Sequence, residues 1–351
     1  MTRKFFTRTG VFFSALIFIS SLSFSQDLNF DFIKSAIPDA TKYLSAYMTP
    51  WTDAFGAGLN GGWYNTAKPH KPLGFDLTMS FNVGIVPKSA GEFDLSSLGL
   101  TTLTGSGRTP SVSGPKEGGA SLTYQAGGHT LASYTAPGGL NWRYIPVPTI
   151  QAGIGLPMGT ELKVRYVPNL RYDETRVSLW GIGLMHNITQ YIPGDKLLPF
   201  DVSVFGGYTK LSGNQGISIE PGTPQSYSPV VSFDNQNLDI EVASMNVSAI
   251  ASLNLPVITL YGGLGYAKNK TTLQLTGNFP TPVWDVADGR AEFNNSGVRT
   301  GSEFGNIKIE NFSGLRANIG FRIKLAVITI HADYTRAQYN VISTGLGISF
   351  R

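Results

Sequence analysis

The chain has 351 residues, with 41 glycines, 12% aromatic residues, only 14% charged residues and no cysteine. Without cysteine there is no disulfide framework, no thiolate metal site and no lipidated N-terminal cysteine. Charge this far below the usual quarter or so of residues also argues against an ordinary soluble surface.

At the N-terminus, Arg3, Lys4 and Arg8 precede the apolar run 11–19 (VFFSALIFI), and Ser23 and Ser25 sit where a signal peptidase would cut. A cleaved signal over residues 1–25, with Gln26 as the new N-terminus, is therefore expected. The apolar run is about half of the roughly 20 residues that a spanning helix needs. Of 27 basic and 23 acidic residues the leader holds three basic ones, which leaves 24 against 23. The basic character belongs to the leader, so nucleic acid is not expected as a partner.

Residues 26–52 are read as an N-terminal helical segment. Pro38 suits a first helical turn, and Ile37, Ala40, Leu44 and Tyr47, with Tyr43 beside them, form a helical stripe. Pro50 is expected to end this helix. The stripe fits either a plug inside a barrel lumen or a cap on its periplasmic mouth.

From residue 53 to 351 the dominant signal is period two, because successive strand side chains point to opposite faces. Phe75, Leu77, Met79, Phe81 and Val83 alternate with Asp76, Thr78, Ser80, Asn82 and Gly84. Residues 149–156 and 161–166 alternate likewise around the turn Pro157, Met158 and Gly159. Residues 55–64, 177–189, 200–211, 240–253 and 257–268 are further strand candidates. In 315–325, Arg316, Arg322 and Lys324 share one face opposite Leu315, Ile319 and Phe321. Three cations could not face hydrocarbon, at about 2–4 kcal/mol each. Residues 328–335 and 340–350 complete the set.

These strands run longer than the five or six residues common in soluble sheets. No apolar stretch long enough for a spanning helix remains. Trp63, Tyr64, Tyr166, Trp180, Tyr208, Tyr266, Tyr334 and Phe350 sit where an interfacial girdle would. The expected fold is all-β: a transmembrane antiparallel up-and-down β-barrel with a short N-terminal helix. Eleven strands can be placed, and an even total requires an odd number within 87–144. One strand there, within 120–134, makes twelve; three make fourteen. Connections alternate in length, with short periplasmic turns at 157–159, 192–199, 254–256 and 325–327. The longer loops lie on the other side.

The inward charges Asp76, Glu161, Lys163, Arg165, Asp201, Arg316, Arg322, Lys324, His331 and Asp333 are the candidate functional residues. They fit either a selectivity lining or a pairing network that fills the lumen. No strong catalytic motif appears, and no enzyme activity, cofactor or metal site is expected. His331 and Asp333 share a strand face with Ser343 and Ser349 on the next strand, so a triad is conceivable. A lumen hydrogen-bond network is the reading preferred for them. Gly153, Gly155 and Gly159 lie in a strand and its turn, outside the context of a nucleotide loop.

Residues 59–70 (LNGGWYNTAKPH) with 74–78 (GFDLT), 145–151 (IPVPTIQ) running into 159–168 (GTELKVRYVP), and 198–202 (LPFDV) with 207–210 (GYTK) resemble a family of Bacteroidota outer-membrane barrels of unknown function. That resemblance implies a barrel and no characterised activity. The helix-then-barrel layout is also similar, in architecture alone, to the outer-membrane long-chain fatty-acid transporter family. The expected function is a passive channel or transporter for small or hydrophobic solutes, with a structural or adhesive envelope barrel as the alternative and an outer-membrane hydrolase third. Outer-membrane lipid and lipopolysaccharide, the barrel-assembly machinery and a small hydrophobic solute are the expected partners. Strand-terminal Phe350, although followed by Arg351, is the residue the assembly machinery would read.

Overall fold

The computed structural model describes residues 31–350, apart from 173–174, 194–197, 221–231, 234 and 310. The leader expected over 1–25 therefore lies outside the described residues. Ten strands build the wall: β1 (Phe75–Ile85), β2 (Tyr144–Leu156), β3 (Thr160–Tyr172), β4 (Thr175–Asn187) and β5 (Phe200–Gly216), followed by β6 (Asn237–Asn254), β7 (Ile258–Thr276), β8 (Ser313–Leu325), β9 (Ile328–Arg336) and β10 (Asn340–Phe350). Each pairs antiparallel with its sequence neighbours, and β10 returns to β1 with Phe350 opposite Phe75, so the sheet closes. Closure leaves no unpaired edge.

The wall is apolar outside and polar inside. On β1, Asp76, Thr78, Ser80 and Asn82 are buried while Phe75, Leu77 and Met79 remain 45–47% exposed. The same inversion holds along β8–β10, where Ile319, Phe321, Ile330, Leu346 and Ile348 are exposed and His331, Asp333 and Ser343 are buried. Turns at 157–159, 255–257 and 326–327, with residues 188–193 and 198–199, gather at one end, together with the start of β1 and the end of β10. At the other end stand the long connection 86–143 and the described parts of two more, 217–220 with 232–233 and 235–236, and 277–309 with 311–312.

The twelve or fourteen strands expected from the sequence become ten, for two reasons. Residues 55–64 are not a strand: the helix α1 (Ile37–Leu59) runs through Pro50 and ends only at Leu59. The hairpin Ser121–Ala126 and His129–Thr135 does exist, but it joins Leu103–Thr104 in a separate small sheet. Its Leu122, Tyr124 and Leu131 turn inward onto the core around α1 rather than joining the wall. With 55–64 removed, parity demands an even number of wall strands between β1 and β2, and that number is zero.

Pro50 removes one helical donor, a cost of about 3 kcal/mol in an isolated helix. Here α1 is enclosed, and Thr41, Thr49 and Thr52 bond backbone carbonyls within the helix. Trp51, Ala54, Phe55 and Leu59 beyond the proline are as buried as Ala40, Tyr43, Leu44 and Tyr47 before it. Ile37, at the first turn, is half-buried. The girdle also loses two members, because Trp63 and Tyr64 are buried inside the barrel, whereas Tyr166, Trp180, Tyr266, Tyr334 and Phe350 are exposed on its outside.

Candidate functional site

The lumen is where the polar chemistry gathers, and α1 is what organises it. Small residues let the helix enter. A Cβ on Gly84 of β1 would lie 2.0 Å from the Ala54 carbonyl oxygen, and one on Gly58 would lie 2.6 Å from Val147 of β2. One on Gly56 would lie 2.7 Å from Asn269 of β7. The helix thus touches opposite sides of the wall at once.

The carboxyl end of α1 is held by two wall arginines. Arg165 on β3 donates from Nη1 to the Leu59 carbonyl and from Nη2 to the Gly61 carbonyl, both at 2.7 Å. Its Nε donates to Gln151 Oε1 at 3.1 Å, and the guanidinium lies 3.7 Å from the centre of the Trp63 ring. Arg316 on β8 donates to the Asn60 carbonyl at 2.7 Å and to Thr335 Oγ1 at 3.2 Å. Carbonyls left free at a helix C-terminus carry about half a negative charge, which favours cations there. Neither arginine makes an ion pair with a carboxylate among the described residues. Asn269 accepts from Asn60 Nδ2 at 2.9 Å, and Ser244 of β6 donates to the Gly56 carbonyl at 3.2 Å.

Below α1 the chain descends through residues 60–74 to the start of β1. Gly62 adopts φ +65°, where a side chain would be strained, and turns the chain downward. Trp63 and Tyr64 then pack on Phe205 of β5, each with ring centres 5.5 Å apart. Tyr64 donates to Asn318 Oδ1 at 2.7 Å, and Tyr261 of β7 donates to Asp333 Oδ2 at 3.0 Å. Farther down, Ser252 and Ser203 bond the backbone of Ala67.

At the turn end His70 enters a charge cluster. Its backbone N–H donates to Glu161 Oε2 at 3.0 Å, and its Nδ1 approaches the same oxygen at 3.1 Å. Nδ1 lies 3.6 Å from Asp76 Oδ2, and Nε2 lies 3.0 Å from Ser349 Oγ. Lys163 pairs with Glu161 and lies 3.8 Å from Asp76. Arg322 and Lys324 both donate to Ser349 Oγ at 3.3 Å. The ligand atoms of His70, Asp76 and Glu161 lie within 4.8 Å of one another. The Lys163 ammonium already pairs with Glu161 and lies beside Asp76, so a metal ion would have to compete with it for both carboxylates.

Thus Asp76, Glu161, Lys163, Arg322 and Lys324 come together, and Arg165 and Arg316 form a second centre. Asp201 stands apart, accepting from Asn187 at 2.9 Å and from Asn254 at 2.7 Å. The pieces of a triad are not assembled: His331 Nε2 and Ser343 Oγ have no hydrogen-bond partner among the described residues, and Ser349 bonds His70 instead. His331 Nδ1 lies 3.5 Å from Asn65 Nδ2.

The amino end of α1 lies among the long loops. Asp39 accepts from the amides of Thr101, Thr102 and Leu103 at 2.6–2.9 Å. Burial pushes its carboxyl up, but those amides and the Thr102 hydroxyl outweigh it and hold the group below its ordinary range. Tyr47 donates to the Gly138 carbonyl at 2.7 Å, and Lys34 lies over the Phe293 ring. Asp53 accepts from Asn311 and the Phe312 amide, and burial raises its carboxyl above the usual range despite them. The chain therefore threads the whole lumen, from loop end to turn end, before β1 begins.

His70, Trp63 and Tyr64 were not legible as lumen residues from local pattern. The turn signal Asn60, Gly61 and Gly62 was the one available hint that the regular element ends there.

Among solved structures the chain is similar to Ail, the attachment invasion locus protein of Yersinia pestis, at 10% identity and TM-score 0.25, covering 80% of this chain and 98% of that one. It is similar to the translocator domain of the autotransporter NalP from Neisseria meningitidis, at 12% identity and TM-score 0.26 over 85% and 93%. The outer membrane protease OmpT from Escherichia coli gives 8% identity and TM-score 0.29 over 80% and 97%. Likenesses this weak carry no inference about activity or assembly. No curated protein matches the chain. Residues 2–350 match a family of unknown function, and the chain belongs to that family, DUF6588.

Proposed function

We propose that the protein is a non-enzymatic outer-membrane barrel whose lumen is stopped by its own N-terminal segment, and that it serves a structural or adhesive role by presenting its loop-end cap at the cell surface. One observation carries this reading. Inward polar side chains at every level of the wall, Asn82, Asn246, Arg165, Ser203 and Glu161 among them, have no contact with solvent. A water-filled pore would wet them.

An apolar outside around a polar inside supports insertion in lipid, because a closed barrel satisfies every strand hydrogen bond internally. The leader supports export, and the outward apolar face ending at Phe350 supports recognition by the barrel-assembly machinery. The channel or transporter reading is second. It is favoured by the polar character of the plug contacts, since the hydrogen bonds that Arg165, Arg316 and Ser244 donate and the one that Ser252 accepts from the Ala67 amide can be exchanged for water more readily than apolar packing. That reading requires α1 to move, with small or hydrophobic solutes passing through the vacated space. Reconstitution in planar bilayers distinguishes the two. Full-length protein is expected to be electrically silent, and a variant lacking residues 37–59 to conduct. Steady single-channel openings from the intact chain would overturn the closed-lumen reading.

A further inference from the structure

The tallest part of the wall offers a ligand surface of its own. β6 and β7 have 18 and 19 residues, about twice the roughly 9–11 that cross a bilayer. Their upper halves must therefore stand clear of hydrocarbon. Outward positions read in hydrogen-bonded rows show where the change occurs. Leu184, Gly206, Val247 and Tyr266 form one row, and Ile182, Tyr208, Met245 and Lys268 the next. Above these come Trp180, Lys210, Ala243 and Lys270, then Ser178, Ser212, Glu241 and Thr272, with Lys308 beside Thr272. Arg176, Asn214, Asp239 and Gln274 form the row above.

Within three rows the wall passes from wholly apolar to cationic, across a line marked by Tyr266, Tyr208 and Trp180. The two acids are already engaged: Glu241 pairs with Lys210 at 2.7 Å, and Asp239 accepts from Asn214 at 2.6 Å. Arg176, Lys268, Lys270 and Lys308 make no ion pair among the described residues. A concave polar groove of about 520 Å³ includes Arg176, Lys270, Lys308, Ser212 and Thr272 in its lining.

We propose that this face binds the phosphate-bearing headgroup of a membrane lipid, with the acyl chains lying on the apolar rows below. Unpaired cations directly above a greasy wall match an amphiphile whose anionic head sits at the same height as the interface. The surface field of anionic lipid attracts basic groups close to it, and hydroxyls between the cations supply donors for phosphate oxygens. The inference rests on the membrane reading above, and the test separates the two.

Full-length protein in detergent is titrated with bisphosphorylated lipid A and with the same lipid lacking both phosphates, and bound lipid is counted by native mass spectrometry. The wild type is expected to bind the phosphorylated form at least tenfold more tightly. K268Q/K270Q/K308Q is expected to erase that difference while leaving the dephosphorylated lipid unaffected, and K268R/K270R/K308R to restore it. Equal binding of both lipids by the wild type, or undiminished preference in the glutamine variant, overturns the site. Heparin that competes fully for the groove, with no phosphate preference among the lipids, also overturns it and makes a soluble polyanion the occupant. Flotation with phosphatidylcholine vesicles reports the membrane reading separately: wild-type protein that fails to float removes that reading and the site with it.

Discussion

Replacing both arginines that hold the end of α1 is the sharpest test of a stopped lumen. Arg165 donates three hydrogen bonds, to the Leu59 and Gly61 carbonyls and to Gln151. Hydrogen bonds from a charged donor contribute about 1.5–3 kcal/mol each, so the gross contribution is about 4.5–9 kcal/mol. Against this stands the several kcal/mol needed to strip water from a fully buried guanidinium. In an R165M variant the two carbonyls lose their donor, and the net expected loss is about 3–5 kcal/mol, the range seen when one member of a buried charged contact is removed. At about 1.4 kcal/mol per factor of ten, the displaced plug becomes about two to four orders of magnitude more populated.

Arg316 bonds the carbonyl of Asn60, between the two that Arg165 holds. The two clamps grip one peptide stretch, so their effects should not add. Single-channel recording in planar bilayers reads the outcome. R165M and R316M alone are expected to give rare, brief openings, and the double variant long ones, with its melting temperature lowered. A folded R165M/R316M protein that stays silent and melts with the wild type would refute the clamp.

Gly84→Val places atoms where the Ala54 carbonyl now lies and is expected to lower thermal stability and promote conduction; Gly206→Val, which faces open space, is the matched control, and equal melting of the two would contradict the close approach. Acid should loosen the cap from α1. The Asp39 carboxyl is held below its ordinary value, so its contribution is fully present above about pH 4 and lost as pH falls through the lowered value. Hydrogen-exchange protection factors of the 101–103 amides, taken relative to the intrinsic exchange rate at each pH, should fall at pH 3, and D39N should show the low protection already at pH 7; identical pH profiles of protection for both proteins would discount the contact. The absence of cysteine makes single cysteines clean reporters of sidedness. K42C and D288C are expected to react with an impermeant maleimide on whole cells, and M158C only after the envelope is opened. Labelling of K42C together with M158C would mean that the chain does not thread the lumen.

Much of the wall was legible in the amino-acid sequence because strand alternation is a local property. A side chain two positions on faces the same way, whatever the rest of the chain does. Asp76, Glu161, Lys163, Arg165 and Arg316 were placed inward on parity alone, and the spacing of turns separated the two ends of the barrel. What lay beyond local pattern was anything that depends on what fills the barrel. Ala54, Gly56 and Gly58 alternate with Phe55, Ala57 and Leu59 like a strand, yet they are helical, because the small residues let a helix pass between β1, β2 and β7. Pro50 reads as a helix stop, and only enclosure by the wall and loops carries the helix past it. The hairpin at 121–135 is visible as a hairpin, but whether it joins the wall or the cap is set by where Leu122 and Leu131 find apolar partners. His70 reaches Glu161 across 91 positions of sequence, since a chain descending through the lumen brings it there. Alternation decided which way each wall residue points; closure of the cylinder around its own N-terminal segment decided what each one meets.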